Sequence, residues 1–68
     1  MADIISNNVY ELRRGMDVTQ EELAGAVSVT RQTIIAIEKG NYTTSVLLAL
    51  KIAHYFKQPV EKVFNIKK

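Results

Sequence analysis

Apolar residues recur at helical spacing along most of this chain, and polar or glycine-containing breaks divide the pattern into five segments. Val9 and Leu12 face inward on a first helix that runs to about Arg14, with Ser6 as its cap and Ile5 as the staple residue before it. Gly15 ends this helix, and Met16 and Val18 cover the core from the loop. Leu23, Ala24 and Val27 give the i, i+1, i+4 face of a second, buried helix. Thr19 and Glu22 form a capping box at its start, and Glu21 and Glu22 suit the positive end of its dipole. Thr30 caps a third helix whose apolar positions are Ile34 and Ile37, and Gly40 ends it in the left-handed conformation glycine takes freely. After a polar loop, Asn41 to Thr44, Thr44 or its neighbour caps a fourth helix with Val46, Ala49, Ile52, Ala53 and Phe56 as its core face. Lys57-Gln58-Pro59 breaks the chain again, and Pro59 suits the first turn of a short final helix over Val60 to Phe64. The expected fold is all-α, five helices in one domain over residues 1–68.

The segment from Thr19 to Gly40 holds two short helices joined by a brief turn, with small Ala24 where their axes cross. The second helix opens with Thr30, Arg31, Gln32 and Thr33, all able to hydrogen-bond to base edges or phosphates. A rigid two-helix corner with a polar, exposed tip is what entry into the DNA major groove requires.

This stretch resembles the lambda-repressor-like (Cro/XRE) helix-turn-helix family of DNA-binding regulators, and the likeness covers nearly the whole chain. Gln20 stands where that family opens the first helix of the motif, Ala24 at the small crossing position, and Val29, Ile34 and Ile37 at core positions. Ser45 to Phe56 and Val60 to Phe64 resemble the family's fourth and fifth helices. The resemblance implies a structural ion pair between Arg13 and Glu38. Three positions depart from the pattern. Ser28 replaces the usual turn glycine, Thr43-Thr44 a frequent Asn-Pro, and Ile35 a small polar residue. A non-glycine residue in the left-handed region at Ser28 carries about 1 kcal/mol of strain.

Sixty-eight residues with three glycines and one proline suit a small helical bundle near the lower size limit for a single core. The absence of cysteine excludes disulfides and thiolate metal sites. His54 stands alone, without the ligands for a zinc site or the partners for a triad, so neither a metal, a cofactor nor an enzymatic activity is expected. The longest apolar run, Val46 to Leu50, is far short of the ~20 residues that span a bilayer, and no signal-peptide pattern opens the chain. A cytoplasmic protein is expected. Net charge is only +2, but residues 1–30 carry five acids against two bases, and residues 31–68 seven bases against two acids. The positive excess begins at the polar helix tip, where attraction to phosphate would need it.

Within this frame each candidate residue has a chemistry. Gln32 pairs bidentately with adenine, or else is solvated or hydrogen-bonded to Gln20. Arg31 forks onto guanine or clamps a phosphate, and Thr33 adds a phosphate or thymine-methyl contact. Ile35 and Ala36 follow one turn later on the same face, with thymine methyls, solvent or a protein surface as alternatives. Gln20, Thr30, Lys39, Asn41, Tyr42 and Thr43 are the candidate phosphate contacts, a half-buried ring being the other role for Tyr42 and capping alone for Thr30. Leu47 and Leu50, left over from the core of the fourth helix, join His54 and Phe64 or Ile66 as a candidate dimer surface. The expected function is a sequence-specific transcriptional regulator, a repressor binding an inverted repeat of double-stranded DNA as a homodimer, with no small-molecule ligand. The alternative is a protein-interaction adaptor or antitoxin-type partner using the same fold.

Overall fold

The computed structural model describes residues 4–41 and 43–67. Five helices follow in chain order: α1 (Val9–Gly15), α2 (Gln20–Ala26), α3 (Arg31–Glu38), α4 (Val46–Tyr55) and α5 (Val60–Val63). Two short strands, β1 (Ile4–Asn7) and β2 (Phe64–Lys67), bracket them. The strands pair antiparallel, with Ile5 opposite Ile66 and Asn7 opposite Phe64, so the two ends of the chain are stitched together. The helices agree with the sequence pattern and the two-stranded ribbon is an addition to it.

The ribbon corrects the expected start of α1. Ser6 lies within β1, and the cap position belongs to Asn8, whose side chain makes no capping bond. Asn7 takes over that role by accepting from the Val9 amide at 3.1 Å, while its Nδ2 donates to the Ile37 carbonyl at 2.8 Å. Asn8 Nδ2 reaches the Lys62 carbonyl at 2.9 Å. Two adjacent asparagines thus tie the ribbon to the ends of α3 and α5.

Helix starts follow their local chemistry. The Thr19–Glu22 capping box is complete, with reciprocal bonds of 2.9 and 3.0 Å. Thr30 Oγ1 accepts from the Thr33 amide, and Ser45 Oγ from the Leu48 amide. Helix ends share one device. After each of α1 to α4 the chain reverses through a residue of positive φ: Asp17 (58°), Ser28 (63°), Gly40 (79°) and Lys57 (56°). At each, the two amides from that residue onward bond back into the last turn, as Ser28 and Val29 do to Gly25 and Ala24. Only Gly40 adopts this conformation without a steric penalty from a Cβ.

The core is formed by Val9, Leu23, Ala24, Val27, Ile34, Ile37, Leu48, Ile52, Ala53, Phe56 and Val63. Leu12, Val18, Val29 and Phe64 pack against it half-buried. Two expectations need correcting. Met16 is 51% exposed and so does not cover the core. On α4, Val46 is 77% exposed, and Leu48 takes the inward position with Ile52 and Phe56 at four-residue intervals. No helix among the described residues is long and apolar enough to cross a membrane.

Candidate nucleic-acid interface

The orientation of α3 is fixed at its C-terminal end, and its first turn is held by a local cap. At its C-terminus, Glu38 and Arg13 form an ion pair whose side chains are only 7% and 9% exposed. Arg13 Nε donates to Glu38 Oε2 at 2.7 Å and Nη2 to Oε1 at 3.1 Å, a fork-to-fork contact that sets angle as well as distance. A third donor, Nη1, satisfies the Val18 carbonyl at 2.9 Å and so closes the loop after α1 onto the same guanidinium. The hydrogen bonds that Arg13 donates to Glu38, reinforced by the carboxylate's charge, raise the Arg13 pKa despite burial. At the N-terminus, the Thr30 and Thr33 hydroxyls lie 3.2 Å apart, and Thr30 holds the first turn.

What this anchored helix presents outward is Arg31 and Gln32, both exposed. Thr33, Ile35 and Ala36 are half-buried along the same helix. Lys39, Asn41 and Thr43 are exposed in the segment after it, and Tyr42 lies outside the described residues. Thr30 is exposed as well, although its hydroxyl already serves as the cap.

Gln20, the candidate phosphate contact from the sequence, opens α2. Its Nε2 donates to Glu38 Oε1 at 3.1 Å, so the side chain is drawn into the ion-pair cluster. A polar hollow of about 400 Å³ lies beside this cluster, lined by Arg13, Thr19, Gln20, Glu21 and Arg31. Three of these groups come from the start of α2 and one from the start of α3, so the hollow marks the mouth of the two-helix corner. Sequence reasoning placed these residues near one another but had no signal for the Gln20–Glu38 bond, which joins positions 18 apart.

The candidate dimer residues divide between two places. Leu47 (65% exposed), Leu50 (50%) and His54 project from α4 and border an open hollow of about 560 Å³ with Ala26, Ser28 and Tyr55. Ile66 is 66% exposed on the ribbon, opposite Ile5. Phe64 is half-buried and packs on the core.

Comparison with known proteins gives a consistent picture. A family model described as helix-turn-helix matches residues 9–63. An uncharacterized HTH-type transcriptional regulator of Bacillus subtilis (strain 168), YgzD, is 52% identical over 60 residues, which is 88% of this chain and 91% of that protein. Another, from Methanocaldococcus jannaschii, is 47% identical over 60 residues with the same coverage of each chain. Among solved structures, the restriction-modification controller protein C.AhdI from Aeromonas hydrophila superposes with a TM-score of 0.76 at 25% identity, covering 81% of this chain and 83% of its own.

Proposed function

We propose, starting from the fact that this chain belongs to the Cro/XRE-type helix-turn-helix family, that it is a sequence-specific DNA-binding transcriptional repressor. The observation that carries the proposal is the exposed pair Arg31 and Gln32 on the capped first turn of a helix anchored at its far end by the Arg13–Glu38 pair. Two long polar side chains held outward on a fixed axis suit hydrogen bonding to base edges in the major groove. Gln32 reads adenine and Arg31 guanine, with Thr33, Ile35 and Ala36 lining the same approach. Thr30, Lys39, Asn41 and Thr43 contact phosphates on either side and set the register.

A single copy reads few bases, at ~1–3 kcal/mol of discrimination each, which is too little to single out a site in a genome. The protein therefore acts as a homodimer on an inverted repeat, with recognition helices about one DNA turn (~34 Å) apart. The exposed Leu47, Leu50 and His54 on α4 are the surface best suited to the partner copy. Repression follows from occupancy of a promoter.

Selection of duplexes from a random pool tests this reading. Recovery of a two-fold symmetric site, with binding that falls steeply as salt rises, is the expected result. Failure to retain any duplex at micromolar protein and ~50 mM salt would favour the adaptor alternative.

A further inference from the structure

Of the two bases in residues 1–30, Arg13 pairs with Glu38, and Arg14 meets no carboxylate among the described residues. Its side chain is nevertheless held in place. Nη1 donates to the Tyr10 hydroxyl at 3.0 Å, and the guanidinium carbon lies 5.6 Å from the centre of the same ring. Tyr10 stands one turn earlier on α1, and both residues are exposed. One of five guanidinium donors is thus engaged, and the others have no protein acceptor among the described residues.

The same ring locates Arg14 relative to the DNA-facing corner. The Arg13 guanidinium carbon lies 5.4 Å from the ring centre and that of Arg14 5.6 Å, so the two are at most 11 Å apart. Arg13 lines the polar hollow at the mouth of the corner together with Arg31. At ~3.4 Å of duplex axis per nucleotide, that separation spans about three nucleotides. The surroundings otherwise repel a polyanion. Glu11, Asp17, Glu21 and Glu22 are all exposed, and Glu21 borders the hollow itself. A guanidinium ordered before binding offsets that charge where the phosphate strand passes.

We propose that Arg14 contacts a backbone phosphate flanking the bases read by α3, and that Tyr10 is the positioning residue that holds its guanidinium for that contact. The contact comes from α1, outside the two-helix corner, and widens the footprint without adding base choice. The inference rests on the DNA-binding reading above, but its test separates the two.

Two variants divide the roles. Arg14→Gln removes the charge and keeps a polar side chain, whereas Tyr10→Leu removes hydroxyl and ring and keeps the charge. After circular dichroism has verified each fold, fluorescence anisotropy is measured on a duplex selected by the wild-type protein and on a scrambled duplex of the same composition. Salt is varied from ~50 to ~200 mM. Arg14→Gln is expected to weaken both duplexes alike, about tenfold at the lower salt, and to reduce the slope of log affinity against log salt by about 0.9. Arg14→Lys, which keeps the charge, restores the slope. Tyr10→Leu should weaken both duplexes about threefold with the slope retained, and should have no further effect in an Arg14→Gln background. Lower Tm in both variants with affinity and slope unchanged would mean that the pair only supports α1, and would overturn the proposal. A loss confined to the selected duplex would overturn it too, since that is the mark of base reading. Failure of the wild-type protein to bind any duplex would instead overturn the DNA-binding reading, and this inference with it.

Discussion

The ion pair between Arg13 and Glu38 is the joint on which the orientation of α3 depends, and removing one side of it is a severe test. With side chains 9% and 7% exposed, the pair belongs to the buried regime, where loss of one partner strands the other charge out of water. Such a loss costs about 3–5 kcal/mol, several times the value of a surface pair. A domain of 68 residues has about 3–10 kcal/mol in total at typical stability per residue. Glu38→Ala is therefore expected to consume from about a third to all of it and to lower Tm by at least about 12 °C. Arg13 would lose two of its three bonds, and Gln20 its partner. The double variant Arg13→Met/Glu38→Leu leaves no orphaned charge, only the Val18 carbonyl and the Gln20 amide to find water at about 1 kcal/mol each. It should be more stable than Glu38→Ala by at least about 1 kcal/mol. Urea denaturation followed by circular dichroism at pH 7 measures both. A Glu38→Ala variant within about 1 kcal/mol of the parent, or a double variant as unstable as the summed single losses, would refute the reasoning.

Other substitutions probe other features. Ser28→Gly relieves an exposed left-handed residue with φ 63° and should raise Tm by about 4 °C, whereas Ser28→Ala, which keeps the Cβ, should leave it nearly unchanged in the same thermal melt. The Thr19 amide and hydroxyl hold the Glu22 carboxyl below its ordinary value of 4.5, so its contribution is present above that pH and lost as pH falls through the depressed folded value. The Tm advantage of the parent over Glu22→Gln should accordingly shrink between neutral pH and about pH 3, and a constant gap would contradict the assignment. Lys39→Ala is expected to weaken binding to selected and scrambled duplexes alike and to reduce the slope of log affinity against log salt by about 1.

The caps of α2 and α3 were legible because they are contracts between neighbours: Thr19 with Glu22, Thr30 with Thr33, and Gly40 with the last turn before it. The ribbon was not. Its strands are four residues each, lack a clear alternation, and gain their partner from the opposite end of the chain. Ser6 reads as a helix cap only while that pairing is unknown. On α4, five consecutive apolar residues from Val46 to Leu50 erase the contrast from which a helical face is read. The structure resolves the choice because Leu48, four before Ile52, is the one that meets the core. At the interface, exposure of Arg31 and Gln32 followed from their place on the first turn of a helix whose apolar side was already assigned. The engagement of Gln20 by Glu38 depends on how α2 crosses the end of α3, a tertiary fact that spacing does not carry.

Gln32 offers the most direct measurement. Its side chain is exposed at the tip of α3, so truncation to alanine should disturb recognition without disturbing the core. Affinities of the parent and Gln32→Ala are compared by anisotropy on the selected duplex and on scrambled DNA at one fixed salt concentration. The account predicts a loss of about tenfold or more on the selected duplex and little change on the scrambled one. An equal change on both, or none on either, would mean that the helix tip does not read bases.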